Sequence, residues 1–114
     1  MLDLKNYLIK NYEKINLNNE IDKTILINNY NEIYKILNEI EIFKKENNIL
    51  NMKYKIYYNK NNKKEIILIM KKRNYNLYKK YINEIENYLN ENYIIEMIIN
   101  EINNNKIIHI YIKD

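Results

Sequence analysis

Apolar residues recur along this chain with two different periods, one typical of helices and the other typical of strands. The first apolar residues are spaced four, four and three apart, which predicts a short helix near the N-terminus. These residues are Leu4, Leu8, Tyr12 and Ile15. A second run, with steps of three and four, predicts a long amphipathic helix that begins at Asp22 and ends at Asn47 and Asn48.

The spacing then changes to the alternation of a half-exposed strand. The even-numbered residues from Tyr54 to Tyr58 are apolar and predict a buried side, whereas the odd-numbered residues from Lys53 to Tyr57 predict an exposed side. The polar residues Asn59 to Asn62 follow and predict a turn, because Asn accepts the backbone conformations that turns require.

Three further elements follow this turn. The apolar run from Glu65 to Met70 predicts a buried central strand. A third helix is expected from about Tyr75 to Asn90, where apolar residues return to helical spacing. Two apolar runs, Tyr93 to Ile102 and Lys106 to Ile112, flank Asn103 to Asn105 and predict a second hairpin.

The element order is therefore helix, helix, strand, strand, helix, strand, strand, or ααββαββ. We expect a single α+β domain over residues 1–114, with two N-terminal helices packed on a four-stranded sheet of two hairpins joined by a helix. The long helix and the third helix cover either the same face of the sheet or one face each. The Ile-rich strand from Lys106 to Ile112 carries few blocking charges, so we expect it at an edge, open to a homodimer or to another chain.

The composition indicates how the chain turns and where it comes from. Gly, Pro, Ala, Val, Ser, Gln, Cys and Trp are absent, whereas Asn and Ile occur 25 times each. The codons of Lys, Asn, Ile and Tyr are rich in A and T, so this alphabet indicates an AT-rich genome such as that of a virus, an organelle or a reduced bacterium. Asn then takes the turn and cap positions that Gly fills elsewhere. Hydrophobic residues make up 46% of the chain, which predicts a folded core despite the many asparagines.

The same alphabet removes most catalytic chemistry. Without Ser or Cys the usual nucleophiles are missing, and without Gly there is no common phosphate-cradling loop. His109 is the only histidine in the sequence and alternates with Ile108 and Ile110, so we interpret it as a surface residue or a hydrogen-bonded strand residue. We therefore expect no enzyme activity, no catalytic residue, no metal and no cofactor.

Positive charge is concentrated in the middle of the chain. Residues 53–80 contain ten basic residues and one acid, a net charge of +9, whereas residues 1–52 carry −1 and residues 81–114 carry −4. Lysines pair with phosphates, and flat aromatic rings stack on unpaired bases, so this segment predicts a surface for RNA or single-stranded nucleic acid. The tyrosines considered for stacking are Tyr54, Tyr57 and Tyr58. The candidate binding residues are Lys53, Lys55, Tyr57, Lys60, Lys63, Lys64, Lys71, Lys72, Arg73, Lys79 and Lys80.

Two kinds of partner fit this charge distribution. The leading expectation is a non-enzymatic, RNA-binding component of a ribonucleoprotein. The alternative is a small inhibitor or adaptor, encoded by a virus or mobile element, that docks on an acidic host protein, since segregated charge also steers protein association.

The apolar runs also bear on where the protein works. They are far shorter than the ~20 residues of a membrane span, so we expect no membrane association. Asp3, Lys5 and Asn6 interrupt the N-terminal segment, which predicts no signal peptide. A location in the cytoplasm, in the matrix or stroma of an organelle, or in the host cytoplasm is expected.

Overall fold

A computed structural model describes residues 3–113 of the chain and shows an α+β protein. Within that range a five-stranded antiparallel sheet is combined with four helices. The helices are α1 (Leu4–Ile9), α2 (Glu20–Asn29), α3 (Asn31–Glu46) and α4 (Lys72–Leu89). The strands are β1 (Tyr12–Ile15), β2 (Lys55–Asn59), β3 (Asn62–Lys71), β4 (Ile95–Ile102) and β5 (Asn105–Ile112).

The sheet contains the two predicted hairpins, which α4 joins. The strand order is β1-β2-β3-β5-β4, and every neighbouring pair is antiparallel. The β4–β5 hairpin turns at Asn103 and Asn104, whose φ angles of 49° and 61° lie in the left-handed region. Two-residue hairpin turns with this backbone usually contain Gly, so Asn replaces Gly here as the composition predicts. The turn is one residue shorter than expected, because Asn105 already pairs with Ile102.

The N-terminal helix is shorter than the apolar spacing predicts. α1 ends at Ile9, and β1 pairs antiparallel with β2 as a fifth strand. A spacing of three between Tyr12 and Ile15 fits a helix, yet in a strand it directs the two side chains to opposite faces of the sheet. β1 satisfies backbone groups along β2 that a continued helix would leave unpaired. The prediction of four strands is therefore wrong by one strand.

The predicted long helix is divided in two. Tyr30 has a non-helical backbone, with φ of −135° and ψ of 46°, and separates α2 from α3. α2 begins after Asn19, whose side chain accepts a hydrogen bond from the N–H of Ile21. The expected cap, Asp22, instead lies inside α2 and accepts a hydrogen bond from the N–H of Asn16 at 2.9 Å. Asparagines flank the break, and because they are weak helix formers the helix is easily interrupted there. The element order is therefore αβααββαββ.

The two faces of the sheet are covered differently. α3 and α4 pack on the same face, which we call the α3/α4 face, and form the main core with β3 and β5. This is the first of the two arrangements that the sequence left open. The opposite face, which we call the α1 face, carries a smaller apolar cluster. That cluster contains Ile67, Ile69 and Ile107, packed against Leu4, Tyr7 and Leu8.

The Ile-rich strand near the C-terminus is central rather than at an edge. β5 pairs with β3 on one side and with β4 on the other, and residues 107–110 are buried. β3 is central as predicted, with residues 65–70 buried. Strands that are apolar on both faces are stabilised most when neighbours and covering elements enclose them, which explains the position of β5. The edges of the sheet are β1 and β4.

Candidate functional site

Four basic residues line one groove at the end of the sheet where β3 runs into α4. Lys53, Lys55, Lys71 and Arg73 surround a depression with a volume of about 500 Å³. Its walls also include Tyr57, Asn74 and Asn105. We call this depression the basic groove.

A second depression extends the basic groove around the start of α4. It has a volume of about 530 Å³ and shares Lys71 and Arg73 with the basic groove. Lys72, Asn76 and Asn104 complete its lining. Six of the eleven candidate binding residues, namely five cations and Tyr57, thus lie together at this end of the sheet.

The four cations of the basic groove form no ion pair with the residues that the structure describes. Within residues 3–113, no ion pair is formed by Lys53, Lys55, Lys71 or Arg73, and all four side chains are exposed. The neighbouring Lys72 is partly neutralised, because its Nζ lies 3.4 Å from an oxygen of the Glu101 carboxylate. Like charges held together without counter-charges create a positive potential that attracts anions.

The charges of α4 oppose its own dipole. The helix follows Lys71, has no side-chain cap, and carries Lys72 and Arg73 but no acid in its first turn. Helix N-termini have a partial positive charge and are stabilised by acids, such as Glu20 in α2 and Glu32 in α3. Three cations at this position therefore disfavour the helix.

The other five candidate residues lie outside the basic groove. Lys63 is separated from Lys71 by about 27 Å along β3, at the ~3.4 Å rise per residue of a strand. Lys64 forms an ion pair with Glu32 at 3.6 Å. The full set is Lys60, Lys63 and Lys64 near the β2–β3 turn, and Lys79 and Lys80 on the exposed side of α4. The structure therefore distributes the basic segment over three places.

Of the three tyrosines considered for stacking, Tyr54 and Tyr57 both line the basic groove, and the side chain of Tyr57 is half-buried on the α1 face. Tyr54 donates a hydrogen bond to Glu41 at 2.6 Å, and Tyr58 donates one to Glu13 at 3.0 Å. Both of these rings pack against the main core. Of the two tyrosines in the basic groove, Tyr54 is thus held against the main core, and Tyr57 packs on the α1 face.

A buried polar cluster occupies the α1 face. Glu65 on β3 and His109 on β5 are each 3% exposed, and the Nδ1–H of His109 donates to Glu65 Oε2 at 2.8 Å. The strand register places His109 opposite Ile67, so Glu65 is its diagonal neighbour on the same face and within reach. His109 is therefore a hydrogen-bonded strand residue, which is one of the two interpretations that the sequence allowed.

Side chains from four other elements complete this cluster. The hydroxyl of Tyr12 on β1 donates to Glu65 Oε2 at 2.9 Å, and the amide of Asn59 on β2 donates to Oε1 at 2.7 Å. The hydroxyl of Tyr7 on α1 lies 3.1 Å from His109 Nε2, and the amide nitrogen of Asn100 on β4 lies 3.3 Å from it. All five strands and α1 thus meet at one buried centre.

The buried centre keeps a carboxylate charged. Burial by itself would raise the pKa of Glu65, but hydrogen bonds from His109, Asn59 and Tyr12 outweigh it and lower the pKa below its ordinary value. Burial and the hydrogen bond to Glu65 raise the pKa of Tyr12. Burial, followed by the charge of Glu65, raises the pKa of Tyr111 to about 12. This arrangement stabilises the sheet, since the polar atoms of Glu65 and His109 are occupied by protein partners.

Sequence reasoning missed the role of Glu65, which stood out there only as the single acid of a basic segment. The signal that was present is the alternation of side chains along each strand. Glu65, Ile67 and Ile69 lie on one face of β3, and His109 and Tyr111 lie on one face of β5. Pairing those faces requires knowledge that β3 and β5 are neighbours, which the local pattern does not contain.

Comparison with known proteins gives no relative. No protein-family model, curated protein or solved structure matches the chain. In the part of the chain from residue 3 to residue 113, no three acidic, His or Cys side chains are grouped so as to hold a metal ion. Among the helices of that same part, none has both the length and the apolar character needed to cross a bilayer. The function is therefore inferred from the geometry of the basic groove.

Proposed function

We propose that this protein is a non-enzymatic binding protein that holds the sugar–phosphate backbone of RNA or single-stranded DNA in the basic groove. The observation that carries this proposal is the set of four un-neutralised cations, Lys53, Lys55, Lys71 and Arg73, on the walls of one groove. Each cation that meets a phosphate releases condensed counterions, and this release drives binding. The groove volume of about 500 Å³ falls within the range of about 300–1,000 Å³ that is typical of ligand sites.

The start of α4 supports an anionic ligand independently of the side chains. The first N–H groups of a helix are not used within the helix, and they attract phosphate together with the helix dipole. In α4 the N–H of Lys72 already donates to the Asn104 carbonyl at 2.8 Å, so the N–H groups that follow it would receive the phosphate. Lys72 and Arg73 flank this position, and Arg73 belongs to the wall of the basic groove. A phosphate bound there would remove the repulsion between these cations and the helix end.

Tyr57 favours single-stranded nucleic acid over other anions. Its ring lines the same groove as the cations, so a backbone held by the cations places an unpaired base within reach of an aromatic face. The side chains of Asn74 and Asn105 lie on the same walls and offer amide donors and acceptors. An acidic protein surface would use the cations but would not require the aromatic ring.

The proposal is tested by measuring fluorescence anisotropy of a labelled single-stranded RNA oligonucleotide, and of its DNA equivalent, at increasing salt. Four phosphate contacts predict a slope of log K against log salt of about −3, since single strands contribute about −0.7 per contact. Polyglutamate serves as the acidic-protein probe at the same salt concentrations. Absence of binding to both oligonucleotides at ~50 mM salt, where phosphate contacts are strong, would overturn the proposal.

Charge reversal locates the binding site. Arg73→Glu should weaken RNA binding at least tenfold and make the salt slope shallower by about 0.7, because one phosphate contact is lost. Lys60→Glu makes the same charge change at the β2–β3 turn and should alter affinity far less. Equal effects of both variants would show that only overall charge matters and would contradict a groove.

The aromatic contact is tested by Tyr57→Leu, which keeps an apolar side chain against the small cluster of the α1 face. Loss of one stacked base predicts about tenfold weaker binding with an unchanged salt slope. Tyr81→Leu, at a half-buried tyrosine on α4, is the matched control. If Tyr57→Leu has no effect and polyglutamate binds as tightly as RNA, the partner is an acidic protein and the nucleic-acid proposal is wrong.

A further inference from the structure

The two edges of the sheet differ in how well they resist pairing with another chain. β1 is only four residues long and carries adjacent charges at Glu13 and Lys14. A short strand and charged side chains each protect a sheet edge from pairing. β4 is eight residues long, contains neither Lys nor Pro, and keeps an uninterrupted register with β5. Among residues 3–113, no element pairs with the outer side of β4. β4 therefore presents a long row of backbone donors and acceptors.

Two large apolar side chains are exposed at this edge. Ile98, in the middle of β4, is 41% exposed, and Ile94, just before β4, is 64% exposed. Ile98 lies on the α1 face, because it pairs with His109. An open strand edge together with exposed isoleucines is the pattern that sheet extension by a second strand would cover.

Apart from one pair, the sequence around β4 is complementary to itself in the antiparallel sense. When two copies are centred on Ile98, each Ile98 faces the same residue of the other copy, and Ile94 faces Ile102. In the same register Met97 faces Ile99 and Glu96 faces Asn100, whereas Ile95 faces Glu101 as the one mismatched pair. Such pairing keeps every residue on its own face of the sheet, as the two-residue side-chain period of strands requires. No carboxylate faces another carboxylate in this register.

The acidic side chains at this edge are already neutralised by lysines of the same chain. Glu96 forms an ion pair with Lys113 at 3.2 Å, and Glu101 forms one with Lys106 at 3.1 Å. Two copies of β4 can therefore approach without strong repulsion between their acids. This neutrality distinguishes β4 from the basic groove, which would repel a second copy of itself.

We propose that two copies of this chain pair through β4, antiparallel and with Ile98 on the two-fold axis, to form a continuous ten-stranded sheet. About eight backbone hydrogen bonds join strands of this length. The occupant is a second copy rather than an unrelated strand, because the apolar and polar positions around β4 match their own reversed order in every pair except Ile95 with Glu101. The dimer does not depend on the function proposed for the basic groove.

The first test is the mass of the wild-type chain by light scattering and sedimentation, from low micromolar to several hundred micromolar concentration. We expect a dimer of the 14.2 kDa chain that dissociates on dilution. Ile98→Lys should abolish the dimer, because it places two lysines opposite each other at the axis. Leu77→Lys changes an equally apolar side chain, 71% exposed on α4, and should leave the dimer unchanged.

The second test uses the absence of cysteine from the chain. Ile98→Cys places one thiol of each copy at the axis, where facing strand residues have Cα atoms about 4.5–5.5 Å apart and a disulfide can form. Oxidation should cross-link Ile98→Cys almost completely and should not cross-link Leu77→Cys. A wild-type chain that stays monomeric at every concentration overturns the proposal. So does a dimer that survives Ile98→Lys and is not trapped by Ile98→Cys, since it would use another surface.

Discussion

Glu65 shows how one buried charge organises a whole face of this protein. Its carboxylate is buried, yet it accepts hydrogen bonds from His109, Asn59 and Tyr12, so its desolvation is offset by strong donors. A buried polar group with all of its partners specifies one arrangement of the strands, because any other register would leave these groups unpaired. At the residue scale this cluster therefore determines the register of the sheet more strictly than the apolar contacts around it.

Removing the carboxylate should be costly. We predict that Glu65→Ala lowers the free energy of unfolding by about 3 kcal/mol, because it leaves several buried donors without an acceptor. Urea denaturation at neutral pH measures this change. Glu96→Ala removes an acid on the same face that is half-exposed and paired with Lys113, and it should cost less than ~1 kcal/mol. Similar losses in the two variants would show that the buried cluster contributes little to stability.

Single residues also show what the local pattern could predict. The alternation from Lys53 to Tyr58 correctly places Tyr58 and Tyr57 on opposite sides of the sheet, but the side that was expected to be exposed is partly covered, because Tyr57 packs against the small cluster of the α1 face. The pattern could not show that Tyr54 and Tyr57 line one groove. That property depends on Arg73 and Asn105, which are distant in sequence and close in the fold.

At the scale of elements, α4 combines a stable core stripe with an unfavourable distribution of charge. Ile82, Ile85 and Leu89 are buried against the sheet and hold the helix in place. Lys72 and Arg73 at its N-terminus oppose the dipole, so the helix is stabilised by packing and not by its terminal charges. This separation allows the exposed end of α4 to carry the charges that the proposed function would use.

We predict that Arg73→Glu has opposite effects on stability and on binding. It should raise the free energy of unfolding of the free protein by about 0.5–1 kcal/mol, because an acid replaces a cation at the positive end of the helix. Thermal and urea denaturation in low salt measure the gain. Lys45→Glu, in the last turn of α3, should lower stability by a similar amount because the sign of the dipole is reversed there. A loss of stability in Arg73→Glu would contradict the conclusion that the cations at this helix end interact unfavourably with the helix dipole.

The elements that the sequence misassigned are those whose form depends on a neighbour. Residues 12–15 form β1 because β2 lies beside them, although their spacing alone fits a helix. The break at Tyr30 depends on how α2 and α3 pack together. By contrast, the sequence predicted the bounds of α4 correctly to within a few residues, because its apolar stripe is regular and has no break. Local period therefore predicts an element well where no other element competes for its residues.

At the scale of the whole molecule, tyrosine–carboxylate pairs join elements on both faces of the sheet. Tyr54, just before β2, donates a hydrogen bond to Glu41 on α3, and Tyr88 on α4 donates one to Glu39 on α3. The hydrogen bond to Glu39, followed by burial, raises the pKa of Tyr88 to about 12. Burial, followed by the hydrogen bond to Glu13, raises the pKa of Tyr58 to about 12. These tyrosines favour the folded state in their neutral form.

The pH dependence follows from the direction of these shifts. A tyrosine whose folded pKa is raised above the ordinary value of 10 contributes its full stability below pH 10 and loses it as the pH rises through about 12. We therefore predict that the free energy of unfolding falls between pH 10 and pH 12. Denaturation at a series of pH values measures this loss.

The Tyr88 pair offers a specific check of this pH dependence. Glu39→Gln should move the ionisation of Tyr88 from about 12 towards 10, visible in the tyrosinate absorbance or in the ring resonances by NMR. Glu20→Gln, at a carboxylate that pairs with Lys23, is the matched control and should leave the tyrosine titration unchanged. A titration of Tyr88 that is the same in Glu39→Gln and in the wild type would contradict the proposed cause.

The sequence by itself determined the α+β class, the two hairpins joined by a helix, the buried central strand from Glu65 to Met70, and the use of Asn103 and Asn104 as a turn. These features follow from side-chain period and backbone preference, which act within a few residues. The tertiary structure alone decided that β5 lies between β3 and β4, and that Glu65 meets His109. It also divided the basic segment, because β3 is long enough to hold Lys63 and Lys71 at opposite ends of the sheet. Which strands become neighbours depends on the free energy of burying all of their faces together, and no local window of the sequence contains that sum.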